Sequence, residues 1–261
     1  MADVTRTPIP QKVHRWQGGP TDARDGAVPS VVSRCYPWLF FAFAFHLALP
    51  CLLKAEETTA DRDADICKSV IIALEQKHMG PAPMPSEFDQ AVVDCYLRKL
   101  DPRKMYFHQA DVDRFRQNAT DLQRQLRRGD VSWMNDVLSI YHRRVREYDA
   151  VARRFADAEL DFTIDETIDL DFPNKPYAVS VVESHDRWRK WTKYELLACR
   201  LPGETMNQKR RRMKKWYTRF FNQVVTADRD DEMEDFLNVV VKVFVTGSGY
   251  MSPKTVDSFK I

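Results

Sequence analysis

From residue 61 onward the chain alternates apolar and polar positions with a spacing of three and four, the signature of amphipathic helices. Ile66, Val70, Ile71 and Leu74 form a first stripe, which the turn-forming sequence GPAPMP at 80–85 ends. Ser86 is placed to cap a second helix through Phe88, Val92, Cys95, Tyr96 and Leu100, and Pro102 stops it. Asp111 is a candidate cap for a third helix facing inward through Val112, Phe115, Leu122 and Leu126, closed by Gly129. Asp130 restarts the pattern in a long fourth helix with Trp133, Val137, Ile140, Tyr141, Val145, Tyr148 and Phe155 on one side and the basic RRVR on the other.

The period then changes. In FTIDETIDLDF, 162–172, the residues Phe162, Ile164, Ile168, Leu170 and Phe172 all fall on even positions, which predicts one extended segment with a single buried face. Helical spacing returns at 184–201, with Trp188, Trp191, Leu196 and Leu197 as core candidates before Pro202 and Gly203. It continues at 205–226 through Met213, Trp216, Phe220, Phe221 and Val224, and at 231–244 through Met233, Phe236, Leu237, Val240 and Val241. The fold class predicted is therefore all-α, a multi-helix bundle with one extended segment near 162–172. Eight glycines against fourteen prolines leave little material for phosphate-cradling loops or a many-turned β fold.

The phrase YFHQADVDRF at 106–115 returns as YMSPKTVDSF at 250–259, with Tyr, Val-Asp and Phe in register. Each copy follows a helix stop and leads into a new helix start, so that Val112/Phe115 and Val256/Phe259 are each expected to share a helical face. The single sequence leaves convergence and duplication both open.

Ahead of the helical region lie a polar, Pro/Gly-bearing extension over 1–34 and a segment over 35–55. Within the latter, WLFFAFAFHLALPCLL at 38–53 follows Arg34 and precedes KAEETT, the order of a secretory signal peptide. A membrane anchor is the alternative, with membrane association through 38–53. Such a segment normally opens a chain, so its position suggests a mis-set start, with Val31 or Val32 as the true one.

Charge and candidate chemistry narrow the picture. Forty basic residues nearly cancel thirty-eight acidic ones, a net +2, so overall charge does not point to nucleic acid. The basic run KRRRMKK at 209–215 reads as a solvated helix face, with phosphate or anionic-surface binding as the alternative. The five cysteines lack metal-like spacing, and a disulfide between Cys67 and Cys95 is conceivable only after export. Ser248, in TGSGY, reads as part of a helix stop rather than an activated nucleophile. His108, His142 and His185 are expected at surfaces or interfaces. Asp165, Glu166 and Asp169 read as the water-facing side of the extended segment. No catalytic, cofactor-binding or metal-binding residue is assigned, and no cofactor.

Three phrases, LDPRKMYFHQADVDRF (100–115), DRWRKWTKYELL (186–197) and GYMSPKTVDSF (249–259), resemble in order and separation the N-terminal region of bacterial tail-specific, or carboxy-terminal processing, proteases. That resemblance runs from about residue 65 to the end. It implies a helical domain (61–245) of an exported, periplasmic serine peptidase, with 246–261 leading into a PDZ domain and then a Ser/Lys catalytic domain, neither of which has a counterpart here. It implies a non-catalytic role in scaffolding, adaptor contact or substrate guidance, with the remainder of the protease, an adaptor or a substrate protein as partner. The family's Asp-Pro-His turn before the second Tyr is replaced by Val245, Thr246 and Gly247.

Overall fold

The computed structural model describes residues 58–77, 87–198, 202–245 and 247–259. The extension over 1–34, the segment over 35–55, Ser86 and Cys199 lie outside the described residues.

Nine helices occur among the described residues, and several begin where a local side chain satisfies orphan backbone donors. α1 (Thr59–Lys77) opens on a reciprocal Thr58/Asp61 cap, Thr58 Oγ1 accepting from the Asp61 N–H at 3.2 Å. α2 (Phe88–Leu100) ends at Asp101, just before Pro102. α3 (Gln109–Asn118) has His108 at its cap position, and Asp111, expected there, acts instead from the first turn by accepting the His108 N–H at 3.0 Å.

The helix expected to continue through Leu126 is interrupted. Asn118, Thr120 and Asp121 favour local turns over helix interior, and a separate α4 (Leu122–Arg127) follows. Gly129 adopts φ +76 and closes α4, its N–H donating to Leu126 O at 2.9 Å. α5 (Ser132–Asp157) starts where Asp130 accepts the Ser132 N–H. α6 (Val181–Ala198), α7 (Met206–Val225), α8 (Arg229–Phe244) and the short α9 (Pro253–Ser258) complete the order. α7 carries a full capping box between Thr205 and Gln208.

α5 is the central rod. It packs along α7 and α6, while α2 pairs with α8 and α1 lies against α4 and α8. Tyr96, Phe107, Phe115, Met134, Val137, Phe236 and Leu237 fill the space between them, each essentially removed from water. The fold is all-α: among the described residues no strand forms, only an isolated parallel bridge between His108 and Ala178. No described helix is long and apolar enough to cross a membrane.

Several positional expectations change. The first stripe is centred on Cys67, Ile71 and Leu74, with Ile66 and Val70 at its margin. In α6 and α7, Leu197 and Trp216 are exposed, and Tyr217 takes the core place expected for Trp216. Residues 162–172 are non-helical, as expected, but form an irregular strap without a single buried face. Phe162, Ile168 and Phe172 pack on the core while Ile164 and Leu170 face water. Val112 and Phe115 are buried, but their counterparts Val256 and Phe259 are exposed. Cys67 and Cys95 are free thiols; Cys67 is buried with its Sγ 3.5 Å from Leu126 O.

Candidate interaction site

The tight turn after α2 forms part of the floor of a cleft. Asp101 is fully buried, and its carboxylate accepts the backbone N–H groups of Met105 (2.8 Å), Tyr106 (2.9 Å) and Phe107 (2.9 Å). Lys104, at φ +53, reverses the chain inside this loop, and its Nζ donates to the carbonyls of Pro173 and Lys175. Burial pushes the Asp101 carboxyl up to about 6, with the three N–H donors acting in the opposite direction. From α6, Trp188 donates its indole N–H to Met105 O at 3.1 Å.

This anchoring turns Tyr106 into an aromatic cluster. Its ring meets Tyr141 and Trp188 edge to face at 5.8 and 5.6 Å and stacks near Phe220 at 6.1 Å. Above them opens a cleft of about 500 Å³, walled by α2, α5, α6, α7 and the start of α8. Trp216 lies at one end, 46% exposed yet stacked on Phe220 with the rings 8° from parallel. The Arg103 guanidinium sits 4.5 Å over the Trp191 ring at the cleft, and Arg103 is exposed. Glu232, Asp231 and Asp235 line the end formed by α8. Each has a cation nearby, Lys99 at 2.9 Å from Asp235, Lys254 at 3.1 Å from Asp231 and Arg229 at 3.4 Å from Glu232, but Lys254 also serves Asp228 and Arg229 also serves Asp63; His142 lies 3.3 Å from Glu232.

A second hollow of about 440 Å³ shares Trp216 and is lined also by Lys215, Arg219 and Glu195. Glu195 accepts from the Tyr217 hydroxyl at 2.8 Å, and burial raises its pKa.

The basic run 209–215 is not the freely solvated face expected. Lys209 is buried and donates to Leu196 O (2.6 Å), Arg210 donates to Ala156 O (2.6 Å), Arg212 pairs with Glu204 (2.8 Å), and Lys214 pairs with Asp157 (2.5 Å). Three of its six cations fasten α7 to α5 and α6. Glu166, expected to face water, turns inward onto Arg189 and Lys193. Hydrogen bonds from those two side chains lower its pKa to about 2. Asp165 and Asp169 remain exposed, so no carboxylate cluster assembles there.

The histidines stand apart. His108, expected at a surface or interface, is buried with Nε2 2.5 Å from the Tyr148 hydroxyl, and burial lowers its pKa. His142 faces Glu232, and His185 lies against the Tyr148 ring. Among the described residues no group of His, Cys, Asp and Glu is arranged to hold a metal ion. Ser248 sits in the turn after α8, its N–H donating to Val245 O at 3.4 Å. Sequence reasoning missed Asp101 and Arg103, because the donors to Asp101 are backbone N–H groups, which residue type does not reveal, and the ring under Arg103 comes from α6.

The model of the family described as "Tail specific protease N-terminal domain" matches residues 70–254. A tail-specific protease of Haemophilus influenzae is 23% identical over 236 residues, covering 86% of this chain and 34% of the relative. The chain thus spans about a third of the length of that relative.

Proposed function

We propose, from the premise that this chain belongs to the tail-specific protease N-terminal domain family, that it is a non-catalytic helical region of an exported carboxy-terminal processing peptidase and works by holding other polypeptides. The observation that carries this reading is the aromatic cleft. It is preorganised by Asp101 and Trp188, large enough for several side chains, and lined by anchoring groups rather than by a paired nucleophile and base. Tyr, Trp and Arg at a concave surface are the residue types that dominate protein–protein binding energy. The polypeptides held would be the remainder of the protease, an adaptor or a substrate protein. Export to the periplasm rests on the apolar run 38–53 behind Arg34, through which membrane association would also occur.

The alternative, phosphate gripping by 209–215, finds little support in the geometry, since Lys209, Arg210, Arg212 and Lys214 are engaged with α5, α6 and the loop before α7. The test of the main reading uses the purified chain, free of host proteases, with an unfolded protein bearing a nonpolar C-terminus. Mass spectrometry is expected to detect no new termini, and reproducible cleavage would overturn the reading.

A further inference from the structure

We propose that the aromatic cleft seats a partner polypeptide segment whose apolar side chains enter it and whose carboxylates lie toward the Trp216 end. This deepens the interaction reading and rests on it. Two observations fix the chemistry of the occupant.

The first is the floor. Tyr106, Trp188, Trp191, Trp216 and Phe220 present aromatic faces and edges to the cleft, and Trp216 remains 46% exposed although an indole of its size gains by burial. Apolar or aromatic side chains of a partner would complete that burial.

The second is the distribution of free charge. The acids at the α8 end share their cations, Lys254 pairing with Asp228 as well as Asp231 and Arg229 with Asp63 as well as Glu232, so that end keeps negative charge. Toward Trp216, Arg103 lines the cleft, and Lys215 and Arg219 line the adjoining hollow that shares Trp216; all three are exposed and have no ion-pair partner within 4 Å among the described residues, Arg103 resting on the Trp191 ring. Glu195, which accepts from the Tyr217 hydroxyl, is the single acid of that hollow against Lys215, Arg219 and the nearby Arg103. Positive charge is therefore in surplus beside Trp216, opposite the acidic α8 end. A segment with Leu or Phe flanked by Glu or Asp matches both features, and charge matching of this kind chiefly sets specificity and encounter rate. A single-stranded nucleic acid would also offer rings and negative charge. Its continuous phosphate chain, however, would have to cross the α8 end, where Asp231, Glu232 and Asp235 gather. The polypeptide is the better fit.

The experiment titrates the full chain with short capped peptides while following tryptophan fluorescence. One peptide carries Leu and Phe at its centre with glutamates on one flank, and two others carry glutamine or lysine there. The glutamate peptide is expected to bind tightest, at least about tenfold better than the lysine peptide, and to weaken as salt is raised. Trp216→Ala should weaken it about tenfold or more. The exposed double change Arg103→Glu with Arg219→Glu, which gives up the Arg103 stack on Trp191 but breaks no ion pair of the described residues, should invert the preference toward the lysine peptide. Any of four outcomes overturns the proposal: no peptide binds; the flank charge makes no difference; an oligothymidylate binds more tightly than the glutamate peptide; or sedimentation shows a second copy of the chain occupying the cleft, with dimerisation lost in Trp216→Ala. None of these bears on whether the chain cleaves peptide bonds, so failure here leaves the non-catalytic reading to its own test. Cleavage would in turn leave a positive peptide result standing.

Discussion

Trp188 donates its indole N–H to the carbonyl of Met105 at 3.1 Å, joining two segments that lie 83 residues apart in the chain. The bond lands on a turn already gathered by Asp101, and the next residue, Tyr106, forms part of the cleft floor. The shape of the candidate binding surface therefore depends on a buried carboxylate and an indole that do not themselves need to touch a partner.

Asp101 gives the first prediction. Asp101→Ala strands three N–H groups in a buried turn, and an unsatisfied buried donor costs about 1–3 kcal/mol. A loss of at least about 3 kcal/mol is expected in denaturant unfolding, together with loss of the cleft's tryptophan fluorescence signature. The pH dependence has a definite sign. Burial raises the folded-state pKa to about 6, above the ordinary aspartate value of 3.8, so across that window the folded protein holds a proton the unfolded chain has released. This group's contribution makes stability fall as pH rises from about 4 to about 6. Asp101→Asn should remove that decline. An unchanged slope in the variant would show that another group is responsible.

How much of this the sequence disclosed varies with the range of the interaction. Helix faces such as Val137/Tyr141/Val145/Tyr148 and Met233/Phe236/Leu237/Val240 follow from spacing alone, because burial on one side of a helix repeats locally. At 162–172 the two-residue alternation holds for Phe162, Ile168 and Phe172 and fails at Ile164 and Leu170, which face water. Glu166 shares the even positions and turns inward because Arg189 and Lys193 on α6 pair with it. Trp216 misled for a related reason: Tyr217 fits the core beside it, leaving the larger ring to cap the cleft. The cleft itself was invisible, since its walls come from five helices that only the tertiary fold brings together.

Gly129 supplies a backbone prediction. It holds φ +76, and a Cβ there would fall 2.4 Å from the Ala64 carbonyl oxygen on α1. Backbone cannot yield as a side-chain tip can, so Gly129→Ala combines a left-handed strain of about 1 kcal/mol or more with a steric clash. Melting should drop by several degrees. Amide exchange should speed up first in α1 and α4, the helices that the turn brings together. Gly203, also at positive φ but with open space around it, is the control: Gly203→Ala should cost only the conformational part.

The repeated phrase predicts an asymmetry. Phe115 is 1% exposed and Phe259 is 76% exposed, although both close the same sequence pattern. Phe115→Ala should cost about 3–5 kcal/mol, as buried phenylalanines do. Phe259→Ala should stay within about 0.5 kcal/mol, the range of surface changes. Beyond the packing of Tyr250 on the core, the ties that hold the second copy are polar. The Asn238 side chain brackets Tyr250, accepting from its N–H and donating to its carbonyl at 2.9 Å each, and Glu234 accepts from Ser252 N–H at 3.0 Å. Asn238→Ala should accordingly release 250–259 to proteolysis while leaving global unfolding nearly unchanged.

Glu166 closes the set with the opposite pH sign to Asp101. Hydrogen bonds from Arg189 and Lys193 lower its folded-state pKa to about 2, below the ordinary glutamate value of 4.5. A depressed acid contributes stability that is complete above about 4.5 and is lost as pH falls through that value toward 2. Glu166→Gln should therefore lower stability at neutral pH and flatten the acid limb. The neutral-pH cost should be about 1–3 kcal/mol, because Lys193 is 6% exposed and would lose the carboxylate that balances it. Lys193→Met separates that penalty from loss of the strap: it removes the charge and keeps the apolar stem. If the strap is held mainly by Phe162, Ile168 and Phe172, the double variant Glu166→Gln with Lys193→Met should recover much of the stability. If the ion pair is the principal tie, the double variant should remain as weak as Glu166→Gln, and protease should cut within 162–172.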